Sequence, residues 1–157
     1  MQLTEHFTLE EYTASNTAAA CGIDNSAPPE VIDELTGLSE TMEDVRLLLR
    51  NSPIIITSGY RCPALNTQCG GAANSAHLYG DACDFVAPDF GTPYEICQRL
   101  ERFIEALGID QLIYECGVDG EGDEWVHLAV SAPGVEPRGQ MLTITRAGTF
   151  EGLVATA

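Results

Sequence analysis

An aspartate inside an apolar run must find a partner, because an unpaired buried carboxylate is costly. Asp84 sits in such a run, "ACDFVA", and seven residues before it His77 stands in the small-residue, glycine-marked stretch "SAHLYGD". His127 lies between Val126 and Leu128 in "WVHLAV". Taken singly, each reads as a hydrogen-bonded core histidine or a turn-stabilising acid. Together, each in a place its residue type disfavours, they predict a fold that brings all three around one cation.

Two histidines and a carboxylate leave the fourth corner of a tetrahedral zinc site open to water, the layout of a catalytic centre. Zinc lowers the pKa of that water from ~15.7 to roughly 7. A general base is then needed, and two acids compete for the role. Glu124 stands three residues before His127, and Glu115 ends the strand-like "DQLIYE". A cation is wanted for a substrate carboxylate or a developing oxyanion, and Arg61 in "SGYR" is the best placed of the seven arginines. Trp125 reads as core or as substrate platform, and strand alternation puts it on the same face as His127.

The rest of the chain reads as one α+β domain over 1–157, with a core of about 4–147. Thr8 and Glu11 form a capping box that opens a helix through "LEEYTAS". Pro28 and Pro29 start a long helix to about Arg50, with Val31, Leu35, Leu38, Met42, Val45 and Leu49 on one face. "PIIITSG" predicts a buried strand. Residues 58–80 show no periodicity and predict a long functional loop. After the strand "ACDFVA", the stretch "TPYEICQRLERFIEAL" predicts a helix capped by Thr92 and Glu95. "DQLIYE" and "WVHLAV" predict a hairpin, "QMLTITR" a last strand, and the tail after Gly148 is expected to be loose.

Charge narrows the partners. Seven basic residues, none of them lysine, against 24 acidic ones give a net charge of −17. Such a surface repels phosphate backbones and anionic membranes, so nucleic acid is not an expected partner. No run approaches the ~20 apolar residues of a membrane span. The start, "MQLTEHFTLEEY", has neither the basic end nor the apolar segment of a signal peptide. Synthesis in the cytoplasm as a monomer is therefore the expectation, with reduced thiols at the six cysteines. Cys62 with Cys69 is the one pair spaced like a loop staple. His6 reads as a surface residue, and the acidic run 119–124 as a solvated turn.

"SGYRCPALN", "SAHLYGDACDF" and "EWVHL", in that order, resemble the zinc D-alanyl-D-alanine carboxypeptidase and L-alanyl-D-glutamate endopeptidase family. Its signature S-x-H-x-x-G-x-A-x-D is matched by Ser75, His77, Gly80, Ala82 and Asp84, and its later histidine by His127. The resemblance covers about Ile54 to Leu128. It implies a hedgehog/D,D-peptidase-like fold, a small antiparallel sheet with helices on one side, and hydrolysis of a peptide bond in the peptidoglycan stem. It implies one zinc ion held by His77, Asp84 and His127, with Glu124 as base and Arg61 on a substrate carboxylate or the carbonyl. Ser75 would bind substrate or brace its loop. The short branch found in phage and prophage often places its acid in the Q-L-I-x-E strand, so Glu115 stays in competition, while the E-x-x-H spacing favours Glu124. "EHFTLEEYTAS" and "DQLIYE" resemble that branch and imply action on the cell wall after release or from a virion. Two other classes remain: a zinc-containing cell-wall-binding or virion module without turnover, and a secreted disulfide-stabilised effector. Arg61 and the two acids weigh against the first.

Overall fold

The computed structural model describes residues 1–116 and 124–155. A short α1 (Leu9–Thr13) and α2 (Asn16–Cys21) lead into the long α3 (Pro29–Leu48). Strand β1 (Ile55–Ser58), helix α4 (Pro63–Gln68), strand β2 (Ala82–Val86) and helix α5 (Pro93–Leu100) follow. Strands β3 (Ile109–Cys116), β4 (Glu124–Val130), β5 (Gln140–Thr145) and β6 (Gly148–Glu151) complete one sheet, in the order β1-β2-β4-β3-β5-β6.

Side-chain alternation splits this sheet into a dry face and an open one. Cys83 and Phe85 of β2, Leu112 and Tyr114 of β3, and Val126 and Leu128 of β4 all lie in the core cluster. Against them pack Leu35, Leu38, Met42 and Val45 of α3, with Ile96, Cys97 and Leu100 of α5, all fully buried. Each such side chain contributes about 1.5–3 kcal/mol by leaving water. Tertiary packing therefore holds α3 together despite Thr36, Gly37 and Thr41 in its sequence, none of them strong helix formers.

Both capping boxes form as the sequence predicts, Thr8 with Glu11 and Thr92 with Glu95. Five expectations change. The sheet is mixed, not antiparallel, because residues 131–139 cross the start of β3 and bring β5 down its far side, parallel to it. A bond network ties that crossing to β3: Asp110 accepts from the Arg138 backbone at 2.9 Å and from its guanidinium. β1 is an edge strand, with Ile55 exposed to solvent, so "PIIITSG" is not a buried one. The tail after Gly148 is not loose up to Glu151, since β6 pairs with β5 there. The helix from Pro93 stops at Leu100 and tightens into a 3₁₀ turn, Glu101–Phe103. Finally, the supposed loop 58–80 contains α4 and a 3₁₀ turn, Ala76–Leu78, segments too short to show periodicity. The acidic run 119–123 lies outside the described residues.

Asp81, just before β2, is buried and its Oδ1 has no hydrogen-bond partner among the described residues. Burial, with some repulsion from Glu34, pushes its carboxyl up to about 6. Its unfolded value is about 3.9, so the fold favours the neutral form. The stability it allows is complete below that unfolded value and is lost as pH rises through 6. Asp81→Asn should therefore raise the unfolding free energy by about 2 kcal/mol at pH 7.5, with the gain shrinking towards pH 4. Urea denaturation of both proteins at the two pH values measures this.

Candidate metal centre

Three strands and one turn build the open-face site. β2 pairs with β4 so that Asp84 stands directly opposite His127. The 3₁₀ turn Ala76–Leu78 carries His77 over the same spot, anchored by the Arg61 N–H donating to its carbonyl at 3.0 Å. Gly80 makes the following bend with φ of 85°, and a Cβ there would press on the Val31 carbonyl of α3. Gly59 is required for another reason: a Cβ would lie 2.5 Å from the Tyr12 carbonyl oxygen. That close approach seats the Gly59 carbonyl 2.7 Å from His77 Nδ1. That bond engages His77 Nδ1 as a donor and turns Nε2 into the site.

His77 Nε2 lies 3.2 Å from His127 Nδ1 and 3.3 Å from Asp84 Oδ1, and His127 Nδ1 lies 2.8 Å from Asp84 Oδ1. Tetrahedral zinc with bonds of ~2.0–2.1 Å needs ligand atoms roughly 3.3 Å apart. The three donors fit one such ion. Among the described residues no other group of three metal-binding side chains gathers this closely. Asp84's second oxygen takes the Arg61 guanidinium at 2.7 Å, and Arg61 Nε donates to Ser58 Oγ at 3.0 Å. Burial alone would raise the Asp84 carboxyl, but hydrogen bonds from His127 and His77 overcome it and hold it far below the carboxylate range.

The pleat puts the two acids on opposite faces of the sheet. Glu115 pairs with Trp125 and Ile113 with His127, so Glu115 is a diagonal neighbour of His127 on the open face. Its Oε2 accepts the Trp125 indole N–H at 2.7 Å. Burial, then the charge of Asp84, raise its carboxyl above the ordinary glutamate value, partly offset by His127 and by that indole bond. Glu124 is an odd number of residues from His127 and faces the other way. Its Oε1 accepts from Tyr114 Oη at 2.7 Å, and Tyr114 is a core residue. The E-x-x-H spacing here runs along a strand, where positions i and i+3 lie on opposite faces.

A cleft of about 810 Å³ opens over the centre, with Arg61, Ser75, Glu115 and Trp125 in its walls alongside the three donors. Ser75 makes no side-chain capping bond. Trp125 contributes its ring to the cleft while its N–H orients Glu115, a role the sequence did not suggest. Also unforeseen are Ser58, which braces Arg61, and Gly59, which orients the His77 ring; both lie in the "TSGYR" run that drew attention only for its arginine. His6 is far from the cleft, with Nδ1 2.8 Å from Glu43 on the surface. Cys62 and Cys69, at the two ends of α4, are free thiols, and so are the other four cysteines.

An imidazole–imidazole–carboxylate triad on a cleft floor, beside a half-buried glutamate, is a donor set suited to a single metal ion. The chain belongs to the peptidase M15 family, whose profile matches residues 5–129. It is also 34% identical over 68 residues to the zinc D-Ala-D-Ala carboxypeptidase of Streptomyces albus G. That match covers 43% of this chain and 27% of the relative, so the chain spans about a quarter of the curated protein it resembles.

Proposed function

We propose that this protein is a zinc-dependent peptidase that cleaves a stem-peptide bond of peptidoglycan, with His77, Asp84 and His127 holding the ion. The observation that carries this reading is the spacing of those three donor atoms, with Glu115 beside them on the same face. The similarity to a D-Ala-D-Ala carboxypeptidase supports a D-alanyl bond as the substrate. An L-alanyl-D-glutamate bond is the alternative within the same chemistry.

Zinc held there would supply Lewis acidity, polarising the scissile carbonyl and acidifying a water. Glu115 takes a proton from the attacking water as the new C–O bond forms. It then gives that proton to the amine nitrogen as the C–N bond breaks, with Trp125 fixing the carboxylate in one orientation. The Arg61 guanidinium stabilises charge developing on the carbonyl oxygen, and Ser58 and Asp84 keep it in place. Ser75, with no competing cap bond, is free to bind the peptide. The resemblance of "EHFTLEEYTAS" and "DQLIYE" to the phage branch supports a role in cell-wall lysis after release.

Digestion of purified peptidoglycan followed by mass spectrometry of the new termini tests this. Loss of one terminal alanine residue per stem is expected for carboxypeptidase action, and a new glutamyl N-terminus for the endopeptidase alternative. Intact stems after incubation with the zinc-loaded protein would contradict the proposal.

A further inference from the structure

Arginine is scarce in this chain, seven residues against 24 acids, and three of the seven meet in one place. Arg50, at the end of α3, and Arg99 and Arg102, on α5 and the turn after it, line a surface hollow of about 530 Å³ with Phe90, Glu95 and Gln98. α3 and α5 cover the dry face of the sheet, so this hollow is distinct from the catalytic cleft. Arg61 and Arg138 are each paired with an aspartate. Among the described residues Arg50, Arg99 and Arg102 have no ion pair, although acids outnumber bases more than threefold.

Two of these guanidiniums, those of Arg50 and Arg99, are also held in place. Arg50 is a non-glycine residue at φ of 60°, a left-handed conformation that an L side chain adopts at a cost. Its guanidinium carbon lies 5.9 Å from the Phe90 ring centroid. Arg99 stands 4.9 Å from the Phe103 ring centroid, and its Nε donates to the Leu48 carbonyl at 3.2 Å. The carboxylate in the hollow, Glu95, is committed to the Thr92 N–H and hydroxyl in the capping box. The lining of the hollow therefore carries three cations against one acid, with Glu101 and Glu105 standing on the far side of Arg102 in the adjoining hollow.

We propose that this hollow binds phosphate groups of a linear polyanion, docking the protein on such a polymer by the face opposite its cleft. Planar guanidiniums match phosphate oxygens in bidentate fashion. Being exposed, the hollow holds a single phosphate weakly. Successive phosphates on one chain raise the effective concentration and so the affinity. The contact releases counterions and weakens steeply with salt. Elsewhere the surface of this chain, whose net charge is −17 overall, repels the same polymer, which confines binding to this face.

The test is an NMR titration of the labelled protein at low salt with long-chain polyphosphate and, separately, with sodium phosphate. Polyphosphate should shift the amides of 48–50 and 95–103, with an affinity that falls as salt rises. Orthophosphate should shift the same amides only at millimolar concentration; equal affinity for the two would overturn the polymer and favour a free phosphate ligand. Arg50→Gln/Arg99→Gln/Arg102→Gln should weaken polyphosphate binding at least tenfold, with cleavage of a short soluble stem peptide unchanged. Arg102→Gln, whose side chain makes no hydrogen bond among the described residues, should give a partial loss and guards against misfolding of the triple variant. Shifts centred on Arg61 or Arg138, undiminished binding by both variants, or tighter binding of single-stranded DNA than of polyphosphate would overturn the proposal.

Discussion

Glu115→Gln should lower turnover on a stem peptide by about 100- to 10,000-fold while zinc stays bound at wild-type stoichiometry. The substitution keeps the shape and the acceptor for Trp125 but removes the carboxylate that moves the proton. Glu124→Gln should leave turnover within a few-fold of wild type, because its side chain bonds Tyr114 on the core side of the sheet. What it disturbs is that one hydrogen bond, worth about 0.5–1.5 kcal/mol, or somewhat more to a charged acceptor. The acid limb of the kcat/KM profile belongs to Glu115 and falls as pH drops through its titration. In the Gln variant that limb should vanish. Steady-state rates with elemental zinc analysis on the same preparations decide the matter.

Removing a ligand should have the second large effect. His77→Ala, Asp84→Ala and His127→Ala should each abolish measurable turnover and drop bound zinc well below one ion per chain. The three should differ in metal-free stability. Asp84 neutralises Arg61, which is only 18% exposed, so deleting it leaves a guanidinium with no other ion pair among the described residues. The Asp84→Ala protein should lose about 3–5 kcal/mol at neutral pH, more than either histidine variant. Burial opposes ionisation of Asp84, but the His127 and His77 bonds win and its folded value is depressed. Its stabilising contribution is therefore complete above the unfolded value near 4 and disappears as pH falls towards the depressed folded one. Denaturant unfolding of the apo proteins at pH 7 and at low pH reads this directly.

Much of the site was legible because its residues broke local rules. Asp84 and His127 are polar side chains in apolar strands, and the sheet sets them opposite one another, 2.8 Å apart. The long α3 was legible from its three- and four-residue apolar spacing. Which acid faces the cleft was harder to read, since a sequence motif and a geometric rule pointed in different directions. The alternation that places Trp125 with His127 on one face also places Glu124 on the other, and the pairing of β3 with β4 then brings up Glu115. The parallel β5 was not legible, because strand direction is set by where residues 131–139 cross, a tertiary matter fixed by the Arg138–Asp110 pair. Nor could β6 be read, since "GTFE" has one large apolar residue and pairs through its backbone. The role of Gly59 depends on a contact with Tyr12, distant in the chain and invisible to any periodicity.

The proposed function stands on His77, Asp84 and His127 holding one zinc ion, with Glu115 facing its open position. A crystal structure of the zinc-loaded protein with anomalous data at the zinc edge tests it most directly. A single strong peak is expected about 2.0–2.2 Å from His77 Nε2, His127 Nδ1 and an oxygen of Asp84. A water or hydroxide should fill the fourth position within hydrogen-bond reach of the Glu115 carboxylate, with Glu124 still bonded to Tyr114. A peak elsewhere, a site closed by a fourth protein ligand, or Glu124 turned to the water in place of Glu115 would contradict it.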